Sequence, residues 1–428
     1  MNLTPEQMAR GRRSFLKAIA GVPAVAALGA TSMVKGPMKG GRVRVGFIGV
    51  GGQGRALLGR IDPTVVEVVA LADIRPDSLA AADAVLRKLN QPPATHYVEY
   101  KTMLEHENIE AIVTAPPLWM HAEIVTTCLD AGKHVLCEKM IAKTRDGYQR
   151  MIEAARRNDR VLEIGYQRNY NPTYRSAYEG VMKTRALGDI YHVRLAWMRN
   201  GNWRRTADPP SKDYDASTWG YPTWDHLNNW RLYWKYSEGL FCELGSHQVN
   251  AANWFLGATP VRVQAMGGVY RFKDGREAPD HVFATFEYPG GVTGTFSSIE
   301  SNAFEERYEA FFGTKGTLLI RNEDDAMLFD EGDARSSGVE VTPKGAGAAL
   351  EASETKPKHA GGKATAKTAP KTAAAPTISP STYEMNGWAS AIRSGSPLRV
   401  TPEVAAHSAS WTIAANEALR TGKIVDIP

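Results

Sequence analysis

The sequence predicts an α/β protein of two domains, in which a doubly wound parallel sheet precedes a domain with a mostly antiparallel sheet. The chain has 428 residues, which exceeds the usual size of one domain. As far as about residue 165, short apolar runs alternate with helical patterns; beyond residue 188, strand–turn–strand units follow one another. With 43% hydrophobic and 23% charged residues, the composition excludes wholesale disorder and a fibrous repeat.

The formal net charge of +5 is concentrated in two segments. Residues 1–40 carry +5 and residues 343–380 carry +4, which leaves −4 for the rest of the chain. The basic balance therefore does not indicate a nucleic-acid-binding face, and no nucleic-acid partner is predicted. Three cysteines are too few for a disulfide framework, and without zinc-type spacing no metal site is predicted.

Residues 1–40 are predicted to be a targeting segment. Arg12 and Arg13 precede the residues SFLK, and a weakly apolar, alanine-rich run follows to about Val34. This pattern resembles a twin-arginine export signal. It predicts a periplasmic or otherwise extracytoplasmic protein with no stable membrane span after cleavage; an uncleaved anchor is the alternative.

A dinucleotide site is predicted directly after this segment. The β-rich run RVRVGFI leads into GVGGQG, and a helix and a second apolar strand ending in Asp73 follow. The glycines would let the backbone approach a pyrophosphate, and Asp73 would accept hydrogen bonds from the adenosine ribose. Asp73 favours NAD, whereas Arg75 could pair with a 2′-phosphate and leaves NADP open; a glycine-rich turn without ligand is the alternative. The predicted cofactor contacts at the strand ends are Gly49, Gly51, Gly52, Gln53, Gly54, Asp73, Arg75, Ala115, Pro116, His121, Glu138 and Lys139.

With these features the chain resembles the Gfo/Idh/MocA family of sugar and polyol oxidoreductases. The matching stretches include GFIGVGGQG, AGKHVLCEKM, EIGYQRNYNPTY and EGLFCELGSHQVNAANWFLG, within roughly residues 42–330 and 381–428. The resemblance implies an N-terminal Rossmann NAD-binding domain, followed by an α/β domain with a large, mostly antiparallel sheet. It also implies a homo-oligomer.

Two family motifs supply the predicted catalytic residues Lys139, His247 and Glu243. The EKP motif falls on residues 138–140, and the D-x-G-x-H motif falls on residues 243–247. The resemblance implies that the lysine and the histidine lie near the nicotinamide and the reacting hydroxyl. A neutral histidine is a suitable proton acceptor, and a lysine can stabilise a developing alkoxide. The alternatives are a structural histidine and an ion-paired lysine.

The chain departs from the family pattern at three positions. Met140 replaces proline, Glu243 replaces the commoner aspartate, and Asn250 stands where a second aspartate is frequent. These departures leave the predicted fold intact, but they keep open a third reading of the chain as a non-catalytic nucleotide-binding protein.

An aromatic stretch predicts a carbohydrate cleft in the second domain. Six of the ten tryptophans lie between Trp197 and Trp234, interleaved with tyrosine, asparagine and arginine. Aromatic rings can stack on a sugar ring, and amide and guanidinium groups can bind its hydroxyls. The alternative is an aromatic core with a long loop. The predicted substrate contacts are Tyr166, Arg168, Trp230, Arg231 and His247; for the first two, packing at the domain junction is the alternative.

The predicted organisation has five segments: residues 1–40 (signal and spacer), 41–165 (Rossmann domain), 166–342 (substrate and oligomerisation domain), 343–380 (Ala/Lys/Pro-rich linker) and 381–428 (helices packing back on the body). The predicted function is an exported NAD(P)-dependent oxidoreductase acting on a sugar, polyol or glycoside hydroxyl. Because export separates it from the cytoplasmic nicotinamide pool, its cofactor would be tightly bound and recycled. The alternative is a redox-neutral, NAD-dependent glycoside hydrolase resembling glycoside hydrolase family 109, in which oxidation, elimination, hydration and reduction follow one another.

Overall fold

The computed structural model describes residues 3–20, 40–105, 108–331 and 378–428. The chain begins with helix α1 (Pro5–Ala20), which carries the two arginines of the predicted export signal. This helix packs along the edge of the second sheet, where Arg12 pairs with Asp325 at 2.7 Å and the side chain of Phe15 is buried. The apolar run that would complete the signal, in residues 21–39, lies outside the described residues, as does nearly all of the predicted linker.

The first domain is a six-stranded parallel sheet in the order β3-β2-β1-β4-β5-β6. Its strands are β1 (Val43–Ile48), β2 (Val66–Ala72), β3 (Thr95–Tyr97), β4 (Ala111–Thr114), β5 (His134–Glu138) and β6 (Leu162–Gly165). The connecting helices are α2 (Gly52–Leu58), α3 (Pro76–Lys88), α4 (Tyr100–Leu104), α5 (His121–Asp130) and α6 (Arg145–Arg157). All four residues of β4 are buried, as expected of a central parallel strand covered by helices on both faces. The predicted doubly wound Rossmann sheet is confirmed.

The second domain is an eight-stranded sheet in the order β13-β12-β11-β7-β10-β9-β8-β14. Its strands are β7 (Ile190–Asn200), β8 (Arg262–Gly268), β9 (His281–Glu287), β10 (Thr293–Ile299), β11 (Ser301–Gly313), β12 (Gly316–Arg321), β13 (Asp325–Asp330) and β14 (Val425–Asp426). Only the β7–β10 pair is parallel among the described strand pairs of this sheet, which confirms the prediction of a mostly antiparallel sheet.

The helices that follow β6 pack partly on the second sheet and partly on the first domain. They are α7 (Pro172–Ala177), α8 (Trp224–Asn228), α9 (Ser246–Leu256), α10 (Pro380–Ser394) and α11 (Pro402–Thr421). The side chain of Trp388 from α10 packs into the core of the first domain, and that of Trp411 from α11 packs into the core of the second. The C-terminal helices therefore clamp the domains together, and the last strand, β14, pairs with β8. Among the described helices, none is both long and apolar enough to cross a membrane.

Candidate active site

The glycine-rich turn between β1 and α2 leaves room for a ligand. A Cβ at Gly54 would lie 1.9 Å from the carbonyl oxygen of Gly49, and Gly49 itself has a φ of +79°. These two glycines therefore pack the turn tightly and admit no side chain. At Gly51 and Gly52, in contrast, a Cβ would meet nothing within 4 Å. The turn thus has the open face that a pyrophosphate requires, and the residues fit a dinucleotide.

This difference predicts two distinct outcomes for two alanine substitutions. Gly51→Ala is expected to leave the melting temperature unchanged but to weaken NAD binding at least about tenfold, because the new methyl group occupies the pyrophosphate space. Gly54→Ala is expected to lower the melting temperature as well, because its methyl group meets backbone that cannot yield easily. Thermal unfolding and NAD titration of both variants test this; unaltered NAD binding by Gly51→Ala would contradict it.

Asp73 at the end of β2 is oriented by the turn and favours NAD. Its carboxylate accepts hydrogen bonds at 2.8 Å from the backbone N–H of Val50 and of Arg75. Desolvation raises the pKa of Asp73 to about 6, against the opposing effect of those two donors. The guanidinium of Arg75 pairs with Asp77 at 2.5 Å and lies 4.9 Å from the ring of Trp224. Because the charge of Arg75 is already matched, the site supports a ribose diol better than a 2′-phosphate.

His121 is buried with both ring nitrogens facing backbone carbonyls, and its role as a cofactor contact stays a prediction. Its Nδ1 lies 2.8 Å from the carbonyl oxygen of Met140, and its Nε2 lies 3.2 Å from that of Pro116. Burial lowers the pKa of His121, so the neutral ring carries one N–H and bonds one of these carbonyls at a time. The side chain is 2% exposed and joins the loops that follow β4 and β5. By bonding the carbonyl of Met140, the imidazole helps to hold the loop that carries Lys139.

Lys139, at the end of β5, is placed by contacts from both domains. The Nε2 of Gln53 donates to the Oε1 of Glu138 at 2.6 Å, and the other oxygen of Glu138 accepts from the backbone N–H of Lys139 at 3.0 Å. The ammonium of Lys139 donates to the backbone carbonyl of Glu243 at 2.8 Å. The peptide bond between Lys139 and Met140 is cis. The ammonium is therefore held at the junction between the two domains, as expected of an electrophilic group.

Glu243 lies in the same cluster, where it is ionised and pairs with Arg231. The Nε of Arg231 donates to Oε2 of Glu243 at 2.8 Å, and the guanidinium lies 4.2 Å from the ring of Trp230. Burial raises the pKa of Glu243, but the charges of Arg231 and Lys139 outweigh this effect, so the net pKa lies below its ordinary value. An ionised Glu243 is suited to orient Arg231 and not to donate a proton.

His247 is the group in this cluster best suited to accept a proton. It lies in the first turn of α9 with 9% of its surface exposed, and its Nδ1 has no hydrogen-bond partner among the described residues. The rings of Tyr166 and Trp197 flank it at centroid distances of 5.9 and 6.0 Å. Burial and the charges of Lys139 and Arg168 hold the pKa of His247 well below its ordinary value. The imidazole is therefore neutral at neutral pH, and its buried Nδ1 makes no hydrogen bond within the described residues.

The segment that carries Glu243 and His247 is not a regular α-helix. A π-helical turn from Phe241 to Gly245 precedes α9. The wider turn shifts Glu243 relative to His247 and places it beside Arg231, instead of on one face with the histidine.

Tyr166 and Arg168 are buried at the domain junction, and their role as substrate contacts stays a prediction. Tyr166 is fully buried and packs edge-on against His247. Arg168 is 1% exposed, and its guanidinium pairs with Glu309 at 2.6 Å and with Glu323 at 3.0 Å. Both residues therefore belong to packing at the domain junction, where they support His247 from behind.

The aromatic excursion (residues 201–240, between β7 and the π-helical turn) is only partly a sugar surface. The rings of Tyr221 and Tyr236 are buried, so much of the stretch is core. It packs onto the first domain: the indole N–H of Trp119 donates to the hydroxyl of Tyr221 at 2.7 Å, and the hydroxyl of Tyr214 donates to the carbonyl of Ile74 at 3.2 Å. The excursion thus contacts the ends of β2 and β4, which are the strand ends that border a bound dinucleotide.

The remaining part of the excursion supplies polar groups beside Glu243. A small cleft of about 80 Å³ is lined by Trp203, Arg205, Asn228, Asn229 and Arg231. Trp230 lies next to it under the guanidinium of Arg231. The sequence places Arg205 and Tyr214 in the aromatic stretch and Trp119 at a strand end, but it does not predict them, or Trp203, as site residues.

Two further predictions concern metals and cysteines. Among the described residues, no group of three or more His, Cys, Asp or Glu side chains is arranged to hold a metal ion. The three cysteines are free and buried.

Comparison with known proteins agrees with this geometry. Residues 43–166 match the family model for the oxidoreductase family, NAD-binding Rossmann fold, and residues 179–319 match the Gfo/Idh/MocA C-terminal domain. A myo-inositol 2-dehydrogenase from Thermotoga maritima is 25% identical over 69% of this chain and 80% of its own. A glycosyl hydrolase family 109 protein from a Shewanella strain is 25% identical over 66% of this chain and 65% of its own.

A solved structure supports the fold. The WlbA dehydrogenase from Bordetella pertussis, in complex with NADH and UDP-GlcNAcA, is 18% identical with a TM-score of 0.66, covering 90% of this chain and 99% of its own. With both domains matched by family models and the glycine-rich turn open to a dinucleotide, the chain belongs to the Gfo/Idh/MocA oxidoreductase family, and residues 43–166 form its NAD-binding Rossmann domain.

Proposed function

We propose that this protein oxidises a hydroxyl group of a sugar, polyol or glycoside, and that it retains and recycles its NAD. The observation that carries the proposal is the cluster of the neutral imidazole of His247 with the ammonium of Lys139, which bonds the backbone carbonyl of Glu243. The inositol dehydrogenase among its relatives supports a polyhydroxylated substrate.

The chemistry assigns one task to each group. When held by the Gly49–Gly54 turn and Asp73, NAD would supply the hydride acceptor for the carbon that bears the hydroxyl. The hydroxyl proton passes to His247, and the ammonium of Lys139 stabilises the negative charge that develops on the oxygen. Arg231 and Arg205 would bind neighbouring hydroxyls, and Trp203 offers a ring face to the sugar. Loss of one hydride and one proton converts the CH–OH group into a carbonyl.

The aromatic excursion is the basis for proposing a retained cofactor. Near the end of β2, its Trp224 lies against the guanidinium of Arg75, and its Tyr214 donates to the carbonyl of Ile74. Near the end of β4, its Tyr221 accepts a hydrogen bond from Trp119. A dinucleotide bound between these strand ends would leave only after the contacts open. The direct test is to denature the purified protein and measure the released nucleotide: we expect about one nicotinamide dinucleotide per chain. A purified protein that is empty and exchanges NAD freely would refute retention.

Opening one of these contacts is expected to accelerate cofactor release. Trp224→Ala removes the ring under Arg75, a cation–π contact of about 1 kcal/mol, and should increase the NAD dissociation rate about five- to tenfold. Stopped-flow displacement of NAD measures the rate. Tyr270→Ala is the matched control, because Tyr270 is an aromatic residue that is 80% exposed. Equal NAD dissociation rates in the two variants would argue against retention of NAD by the aromatic excursion.

Export through a twin-arginine pathway remains part of the proposal. It is supported by the residues RRSFLK at positions 12–17. Replacing both Arg12 and Arg13 by lysine should retain the protein in the cytoplasm of a competent host, whereas the parent chain should reach the periplasm. Equal periplasmic yield of the two chains would remove export from the proposal.

A homo-oligomer is supported by apolar side chains on the outer face of the second sheet. Met266 on β8 pairs in register with Phe283 on β9, and their side chains are 67% and 43% exposed. These two neighbouring apolar side chains form a patch that a second copy would cover. Light scattering coupled to gel filtration tests this, and a monomer at micromolar concentration would oppose it.

A redox-neutral glycoside hydrolase is the second candidate. A glycosyl hydrolase family 109 relative supports it, and so does the excursion, because a reaction that regenerates its own NAD suits a cofactor that stays bound. The test is to incubate the holoenzyme with 4-nitrophenyl glycosides and no added NAD. Release of nitrophenol over many turnovers without change in absorbance at 340 nm would favour hydrolysis, whereas stoichiometric NADH with no nitrophenol would favour oxidation.

A further inference from the structure

A second cleft lies on the molecule away from the active site. It has a volume of about 770 Å³ and is bordered by the C-terminal end of α9, by α10 and by the loop that leads into α11. On α9, Asn253 is six residues after His247, which is about 9 Å along the helix axis. None of the cleft's lining residues is among those assigned above to the active site. A cavity of this size accommodates a small ligand of one to a few sugar rings.

Two arginines on aromatic rings give the cleft its charge. The guanidinium of Arg175 lies 5.5 Å from the ring centroid of Trp254, and that of Arg399 lies 5.3 Å from the ring centroid of Tyr170. Burial, together with the neighbouring charge of Arg399, lowers the pKa of Arg175. Both arginines line the same cleft, so an anion held between them would offset part of their positive charge.

The carboxyl groups near the two arginines compensate little of this charge. Glu163 and Glu384 are both buried, and burial raises the pKa of Glu163 to about 8 and that of Glu384 well above its ordinary value. Both are thus mostly protonated at neutral pH. Glu179 pairs with Arg175 at 3.7 Å but is shared with Lys183 at 2.9 Å, and the Nε of Arg175 has no hydrogen-bond partner within the described chain. The cleft keeps a net positive charge.

Two amide side chains have unused hydrogen-bonding groups at the cleft wall. The side chain of Asn386 is 5% exposed, and its Oδ1 has no partner among the described residues. Asn253 accepts a hydrogen bond from the hydroxyl of Tyr288 at 3.0 Å, but its buried Nδ2 donates to no group in the described structure. A free acceptor and a free donor beside aromatic faces match the hydroxyl groups of a sugar, and such buried groups are costly when they stay unpaired.

We propose that this cleft is a second binding site, separate from the active site, for an acidic sugar whose carboxylate or phosphate lies between Arg175 and Arg399. The ring would pack on Trp254 or Tyr170, and its hydroxyls would bond to Asn386 and Asn253. The cleft is also connected to the active-site helix, because Asn169, which lines it, donates to Asn250 on α9 at 2.6 Å. Binding there is independent of the reaction proposed above and does not require it.

Isothermal titration of the purified full chain with four probes tests the proposal: D-glucuronate, D-glucose 6-phosphate, D-glucose and inorganic phosphate. We expect one acidic sugar per chain, bound at least tenfold more tightly than glucose or phosphate. The tighter of the two acidic probes identifies the anionic group. Arg399→Gln and Arg175→Gln should each weaken this binding at least tenfold, and the matched control Arg150→Gln, an exposed arginine on α6, should not.

Further variants separate this site from the active site and from misfolding. Lys139→Ala should keep the acidic-sugar affinity, because that residue belongs to the other site. The melting temperatures of Arg399→Gln and Arg175→Gln show whether each variant is folded. The acidic-sugar affinity of a folded variant then tests the proposal. The proposal is overturned if neither acidic sugar binds, if phosphate binds as tightly as the sugars, if folded Arg399→Gln and Arg175→Gln bind like the parent, or if Lys139→Ala abolishes binding.

Discussion

Replacing His247 by asparagine is expected to lower kcat for hydroxyl oxidation by about 10²- to 10⁴-fold, the usual contribution of a positioned general base. Asparagine keeps polarity and approximate size but cannot take up the proton at neutral pH. The affinity for NAD should change little, because His247 lies on the second domain and the dinucleotide turn lies between β1 and α2. Single-turnover reduction of bound NAD by a panel of sugars and polyols, followed at 340 nm, measures the rate.

The pH profile gives an independent measure of the same residue. Since burial and nearby positive charge hold the pKa of His247 well below its ordinary value, its neutral, proton-accepting form persists as the pH falls below 6.5. Activity should therefore be lost only at a pH clearly below that of an ordinary histidine. An acid limb with a midpoint near 6.5, or an asparagine variant that retains a tenth of the rate, would remove His247 from the role of base.

The first domain and the catalytic cluster could be predicted because their signals are local. The Gly49–Gly54 turn, Asp73 and the strand that ends at Lys139 each lie within a few residues of the pattern that identifies them. A parallel sheet then brings the strand ends together without further information. The fold of residues 43–166 and the position of Lys139 follow from sequence for this reason.

The side chains whose surroundings could not be predicted are those whose neighbours are remote in sequence. Tyr166 and Arg168 follow β6 as expected, but a strand end does not determine which side chain turns toward the cleft. That choice depends on Glu309, which is 141 residues from Arg168, and on Glu323, which is 155 residues away. His121 is similar, because its direction is set by two backbone carbonyls on separate loops.

Composition alone could not divide the aromatic excursion between core and sugar surface. Rings that stack on a sugar and rings that pack against protein have the same residue types. Tyr221 and Tyr214 are directed by Trp119 and Ile74, which are 102 and 140 residues distant. The composition correctly indicates many apolar faces, but only the tertiary structure shows that several of them close over the strand ends of the first domain.

Replacing Arg168 by methionine is expected to destabilise the protein by about 3–5 kcal/mol at neutral pH, the usual cost of removing one partner of a buried ion pair. Arg168 is 1% exposed, so its loss leaves Glu309 buried and without its principal countercharge. Arg185→Met is the matched control, since Arg185 is 76% exposed in a surface pair and should change the free energy of unfolding by less than about 1 kcal/mol. Urea unfolding monitored by tryptophan fluorescence compares the two.

The pH dependence of that loss distinguishes an unpaired charge from a packing defect. Burial already raises the pKa of Glu309, and Arg168 opposes this effect, so the variant should raise that pKa further. A carboxyl group whose folded-state pKa exceeds its unfolded value binds its proton more tightly in the folded state, so its stabilisation is complete at low pH and is lost as the pH rises. The deficit of Arg168→Met should therefore be smaller at pH 5 than at pH 8, and Glu309→Gln in the same chain should recover part of it at pH 8. An identical deficit at both values, with no recovery, would mean that Arg168 acts through its volume and not its charge.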